Sequence, residues 1–241
     1  MKNLFGLTKH HNSSIAKNSN KGLMSDRSLA RLPLPILFIC SLLLTLPVTR
    51  EFAIAMLAEN RPIELLSFAF LIAAGVKGLV LVWQLRQQES KKIILFYLLL
   101  ALGFLAIGAE EIAWGQWFFG FETPAGLSEI NTQNELTLHN LELFNDHLEI
   151  FPLLFGVAGI ASVWTNKIAK LRKISSPSVL LSWYSIITFV SGIDLIQDFF
   201  IIQEQFDYLI NHLDEVVEML VAIACFLYIS LNSIKLNNLN R

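Results

Sequence analysis

Apolar residues along this chain gather into six runs: 32–48, 63–85, 93–108 carrying on into 112–121, 150–164, 179–193 reaching to 200, and 216–231. A helix needs roughly 20 apolar residues to cross about 30 Å of hydrocarbon. With no water to satisfy its backbone, each run must be helical, and the strands of a barrel would instead alternate apolar with polar positions. The pattern predicts an all-α, polytopic transmembrane bundle of about six helices. A transmembrane domain spans residues 32–231, with an outer loop at 121–147. It is flanked by a disordered basic tail at 1–31 and a short C-terminal tail at 232–241. No small-residue cleavage site follows the first run, so it reads as a retained helix and not a signal peptide.

Composition agrees. The 241 residues are 54% hydrophobic and 16% charged, against about 25% charged in soluble domains. A net charge of -2 gives no reason to expect a nucleic-acid partner, and membrane lipids are the expected surroundings. Cys40 and Cys225 lie inside apolar runs and read as small buried hydrophobes, with no zinc-type spacing around them.

Charge is distributed unevenly. Of the 18 Lys and Arg, all but Arg50, Arg61 and Lys77 fall in the two tails and the second and fourth loops. By the positive-inside rule those segments face the cytoplasm, which puts both termini there and suits a bacterial inner membrane. The loops 120–147 and 203–214 contain no Lys or Arg. Trp83, Trp164 and Trp183 fall near inner ends, as an interfacial belt would place them. Lys77, about 12 Å from the inner end of its helix, is expected to snorkel toward the head groups.

Counting depth from the helix ends brings acids from three helices to one level near the outside. Glu110 and Glu111 end the third helix, Asp194 and Asp198 lie high on the fifth, and Glu215 and Glu218 begin the sixth. Asp194, Gln197 and Asp198 share a helix face, as do His212, Glu215 and Met219. Adjacent Glu110 and Glu111 point about 100° apart, so only one can face a given partner. Carboxylates in a bundle avoid lipid. With no basic residue nearby, they are expected to take up protons, bind a cation, or bond to a histidine. Glu110, Asp194 and Glu218 are expected to approach one another. The candidate polar site is Glu110, Glu111, Trp114, Gln116, His139, His147, Asp194, Asp198, His212, Glu215 and Glu218. Within it Glu110, His147, Asp194, His212 and Glu218 are candidate ligands for a divalent cation, and Gln116 and Asn134 candidate orienting groups.

The outer loop is the most distinctive segment. Thr137 is placed to cap a short amphipathic helix over 138–147, which carries His139 and His147. The stretches EEIAWGQ, FGFETP, INTQNE and LHN, within 110–140, resemble a signature of uncharacterised bacterial multi-pass membrane proteins. The resemblance implies a bacterial inner-membrane setting and a site in this region, and no activity. Alkaline ceramidase-like hydrolases hold zinc on several helices and carry an HxxxH near the end. This chain lacks HxxxH and carries HLDEVVE there.

Three function classes fit these residues. One is a metal-dependent membrane hydrolase acting on a lipid or exported substrate, although no HExxH is present. Another is an ion- or proton-coupled transporter, in which Gly75, Gly78, Gly103, Gly108, Gly156, Gly159 and Gly192 would permit close helix packing. The third is a non-catalytic subunit or assembly factor, meeting a membrane-protein partner through the aromatic outer loop. No serine nucleophile elbow, phosphate loop or haem-attachment motif is present.

Overall fold

A computed structural model describes residues 25–58, 61–131, 135–137, 150–197 and 204–239. Its helices are α1 (Asp26–Arg31), α2 (Pro33–Thr45), α3 (Arg50–Leu57), α4 (Pro62–Leu85), α5 (Lys91–Glu110), α6 (Gln116–Phe119), α7 (Ala125–Ser128), α8 (Ile150–Trp164), α9 (Leu181–Gln197) and α10 (Glu204–Leu239). Among the described residues six helical stretches are long and apolar enough to cross a membrane: Asp26–Thr45, Arg50–Leu85, Lys91–Glu110, Ile150–Lys167, Ser178–Gln197 and Tyr208–Leu239. The chain is an all-α transmembrane bundle. The helix expected at 138–147 lies outside the described residues.

Four boundaries differ from the expected ones. The first helix starts at Asp26, inside the stretch read as a tail, because Ser25 caps it and Leu29 is buried. The segment 203–214, expected as a loop, is helical from Glu204. At 36 residues, α10 is about 54 Å long, far more than a bilayer core requires. It also runs on to Leu239, through most of the expected C-terminal tail. The third run does not continue as one helix. After α5 the backbone turns left-handed at Ala113, Trp114 and Gly115, with φ of 46°, 54° and 88°. Consecutive left-handed residues cannot extend a right-handed helix.

Helix α10 is the hub. It packs on α4, α9, α2, α3 and α8. The hairpin of α4 and α5 closes one side of it, and the hairpin of α8 and α9 the other. Small residues set these crossings. A β-carbon at Gly78 would stand 2.7 Å from that of Ala101 on α5, and one at Gly159 would strike the Tyr184 ring of α9. Without an apolar driving force in lipid, such close approach is how membrane helices gain packing energy.

The two ends of the bundle differ, as the loop charges predict. At the basic end, residues 173–176 fold back against the helices. Tyr97 on α5 donates to the Lys173 carbonyl at 2.7 Å, Tyr228 on α10 to that of Ile174 at 2.5 Å, and Lys235 to that of Ser175 at 2.7 Å. Asn166 donates to the Ser176 carbonyl, and the Ser176 and Tyr184 hydroxyls are bonded at 2.8 Å. Ser175 and Ser176 are 1% and 0% exposed. Lys173 pairs with Glu89 at 2.6 Å. This segment closes the basic end. The Lys77 ammonium lies 5.3 Å from the Phe226 ring centroid on α10. Trp83 and Trp164 are exposed beside Arg86 and Lys167, as interfacial residues would be. Trp183 corrects the belt: it is 0% exposed and donates to the Leu29 carbonyl, locking α1 onto α9.

Candidate functional site

The acidic end is built from the last positions of three buried helix stripes. On α5 the buried residues are Tyr97, Ala101, Phe104 and Gly108, spaced by three and four. The next position on that stripe is Glu111. On α4 the stripe runs through Ser67, Leu71, Ala74, Gly78, Leu81 and Leu85, and Glu64 lies one turn before it. On α10 the face of Glu218 continues into Ala222 and Cys225, both fully buried. Each stripe therefore points a carboxylate into the bundle at the same end.

These groups meet. The charges of Glu218, Glu64 and Glu215 all act on Glu111, and that of Glu64 also acts on Glu218. Among the described residues no basic side chain pairs with Glu111 or Glu218. Burial first, and then repulsion from Glu218, Glu64 and Glu215, hold the Glu111 carboxyl well above the usual carboxylate range. Glu64, Glu111 and Glu215 are half-buried. Glu218 is exposed, although Val216, Val217, Met219 and Leu220 around it are buried. Further along that face Ala222 and Cys225 are buried, so the exposed carboxylate of Glu218 stands at the edge of the packed core.

The other candidates are placed elsewhere in the same region. Glu110 accepts from the Trp114 indole N–H at 2.5 Å. On α5 it is Glu111 that continues the buried stripe and feels the charge of Glu218. Trp114 is half exposed and held in the left-handed turn. Gln116 does orient the loop. Its amide donates to Thr123 at 2.9 Å and its carbonyl accepts from the Leu136 N–H at 2.7 Å. Asn131 ties the loop further, donating to the Thr137 carbonyl at 2.9 Å and accepting from the Glu135 N–H. Asp194 is buried and accepts from Gln197 at 2.7 Å; the same amide reaches Asn211 on α10 at 2.9 Å. The shared face of Asp194 and Gln197 is thus present, and it crosses to α10. His212 stacks on Tyr208 at 4.2 Å, with Nδ1 2.9 Å from the Tyr208 carbonyl. The Arg50 guanidinium lies 4.0 Å over the same Tyr208 ring. His139, His147, Asp198 and Asn134 lie outside the described residues.

No family model, curated protein or solved structure matches this chain. Its site is therefore argued from its own residues. Among the described residues no three His, Cys, Asp or Glu side chains gather closely enough to hold a metal ion. The cluster's carboxylates are therefore better suited to exchanging protons than to caging a metal.

Two further positions belong to this region. Glu64 sits at the start of a long apolar run, where a single acid draws little notice, yet depth counting on that helix places it near the level of Glu218. Asn211 falls in a stretch polar enough to read as a loop, where no helix face is assigned.

Proposed function

We propose that this protein sits in a bacterial inner membrane with both termini cytoplasmic. In this reading Glu64, Glu111, Glu215 and Glu218 take up protons from the exported side, in the service of proton-coupled transport. One observation carries the reading: carboxylates from three helices act on one another at one end of the bundle, without a described basic partner for Glu111 or Glu218. Like charges crowded together in a bundle either share protons or bind a cation.

The rest of the bundle fits. Further from the cluster, the polar side chains on α4, α5 and α10 include Lys77, Tyr97, Tyr228 and the fully buried Asn232. Residues 173–176 shut the opposite end. Access from one side only is what an alternating mechanism requires of one of its states. The resemblance of 110–140 to bacterial multi-pass proteins supports the membrane assignment.

The experiment is pH-dependent flux in proteoliposomes, read with an internal pH dye and repeated with calcium or magnesium outside. Wild-type protein is expected to move protons, and Glu111→Gln and Glu218→Gln to stop the movement while remaining folded. Undiminished flux in both variants would refute the role of the cluster. Infrared difference spectra on acidification provide a second readout: the protonated-carboxyl band of the wild type is expected to shrink in Glu111→Gln.

A further inference from the structure

At the basic end, a groove of about 540 Å³ opens between the end of α8 and the turn leading into α9. Val163, Trp164, Lys167, Pro177, Ser178 and Leu181 line it. Its walls are unlike its mouth. Trp164 and Leu181 are 64% and 38% exposed, on a side where α8 packs chiefly against α9, so the walls look onto hydrocarbon. At the mouth the Lys167 ammonium lies 5.4 Å from the Trp164 ring centroid, and the Ser178 side chain is open.

The surroundings are strongly basic. The segment 165–173 carries Lys167, Lys170, Arg172 and Lys173 and no acid. Among the described residues only Lys173 of these has a carboxylate partner, Glu89. Helix α1 packs on the same Ser178–Leu180 turn, held by the Ser182 hydroxyl and the Trp183 indole, and adds Arg27 and Arg31 against one acid, Asp26. A slot with apolar walls, an exposed indole and ammonium at the level of the head groups, and unpaired positive charge around it matches one kind of molecule.

We propose that this groove binds an anionic phospholipid of the leaflet on the basic side. The phosphate meets Lys167 and Ser178, and an acyl chain lies along Val163, Trp164 and Leu181. A second copy of the chain suits the groove poorly, since two such basic faces repel. A free anion would leave the apolar walls without a partner. The site is independent of the carboxylate cluster, which lies at the opposite end.

The test uses the full chain in phosphatidylcholine vesicles doped with brominated phosphatidylglycerol or, separately, brominated phosphatidylcholine. Trp164 emission is isolated by difference from Trp164→Phe. The brominated anionic lipid is expected to quench Trp164 more effectively at equal mole fraction, by about five-fold for one basic contact. Lys167→Gln should erase most of that preference. Lys170→Gln, which removes the same charge from the same segment but not from the groove, should leave it. Equal quenching by the two lipids overturns the proposal. Equal losses in both lysine variants overturn it too, since diffuse surface charge would then suffice. A groove closed by a second copy, seen as quenching by neither lipid together with a dimer mass, also overturns it.

Discussion

Glu111 stands where carboxylates from three helices converge, and its protonation couples to the stability of the whole acidic end. Its carboxyl is raised in the folded state, by burial and by Glu218, Glu64 and Glu215. Below about pH 4 it is neutral whether the chain is folded or not, and contributes nothing. As pH rises, the unfolded chain ionises first, so stability falls until the folded-state carboxyl ionises too. The unfolding temperature in detergent is therefore expected to decline from about pH 5 through neutrality, and Glu111→Gln to flatten that decline. The slope can reach about 1.4 kcal/mol per pH unit. A midpoint that rises with pH, or an unchanged slope in the variant, would contradict this account. The same residue marks what could be read in advance. Helix geometry shows that Glu110 and Glu111 cannot both face one partner. It does not say which does, because α5 is apolar on every side and its buried stripe shows only when neighbours are in place. The stripe through Ala101 and Gly108 decides for Glu111. Asp194 with Gln197 was legible because an i, i+3 pair needs no neighbour.

At the scale of elements, close crossings and one closing segment hold the bundle. Gly159 lies against the Tyr184 ring, so Gly159→Leu should push α8 from α9. The expected loss is on the order of 1–3 kcal/mol, measured as a lower unfolding temperature. Gly103, where an added β-carbon meets nothing within 4 Å, should tolerate alanine. At the basic end, Tyr228→Phe deletes the hydrogen bond to the Ile174 carbonyl. It is expected to cost about 1 kcal/mol and to open residues 173–176. A cysteine at Ser176, shielded in the wild type, should then react faster with a soluble maleimide. Unchanged labelling would mean that the remaining bonds suffice. The six helices were legible because long apolar runs have one solution in hydrocarbon. Their ends were less so. Residues 204–214 are polar enough to read as a loop, and become helix because Leu213 and the residues after it continue onto the buried core.

The whole molecule is polar in the electrical sense, with acids at one mouth and a basic, closed face at the other. A reporter active only outside the cytoplasm should work when fused after Ser128 and fail after Leu239. The reverse result would invert the proposed orientation and bring the carboxylates to the cytoplasm. The segment that closes the basic face also bears on how the protein is made. Its carbonyls at Ile174 and Ser175 are bonded by Tyr228 and Lys235, which follow 54 and 60 residues later. While the nascent chain is still on the ribosome those acceptors have no permanent donors, and the face stays unsealed until the final helix is inserted. Chains stopped short of Tyr228 should therefore be recognised as incomplete and degraded, even with five of their six spans already in place.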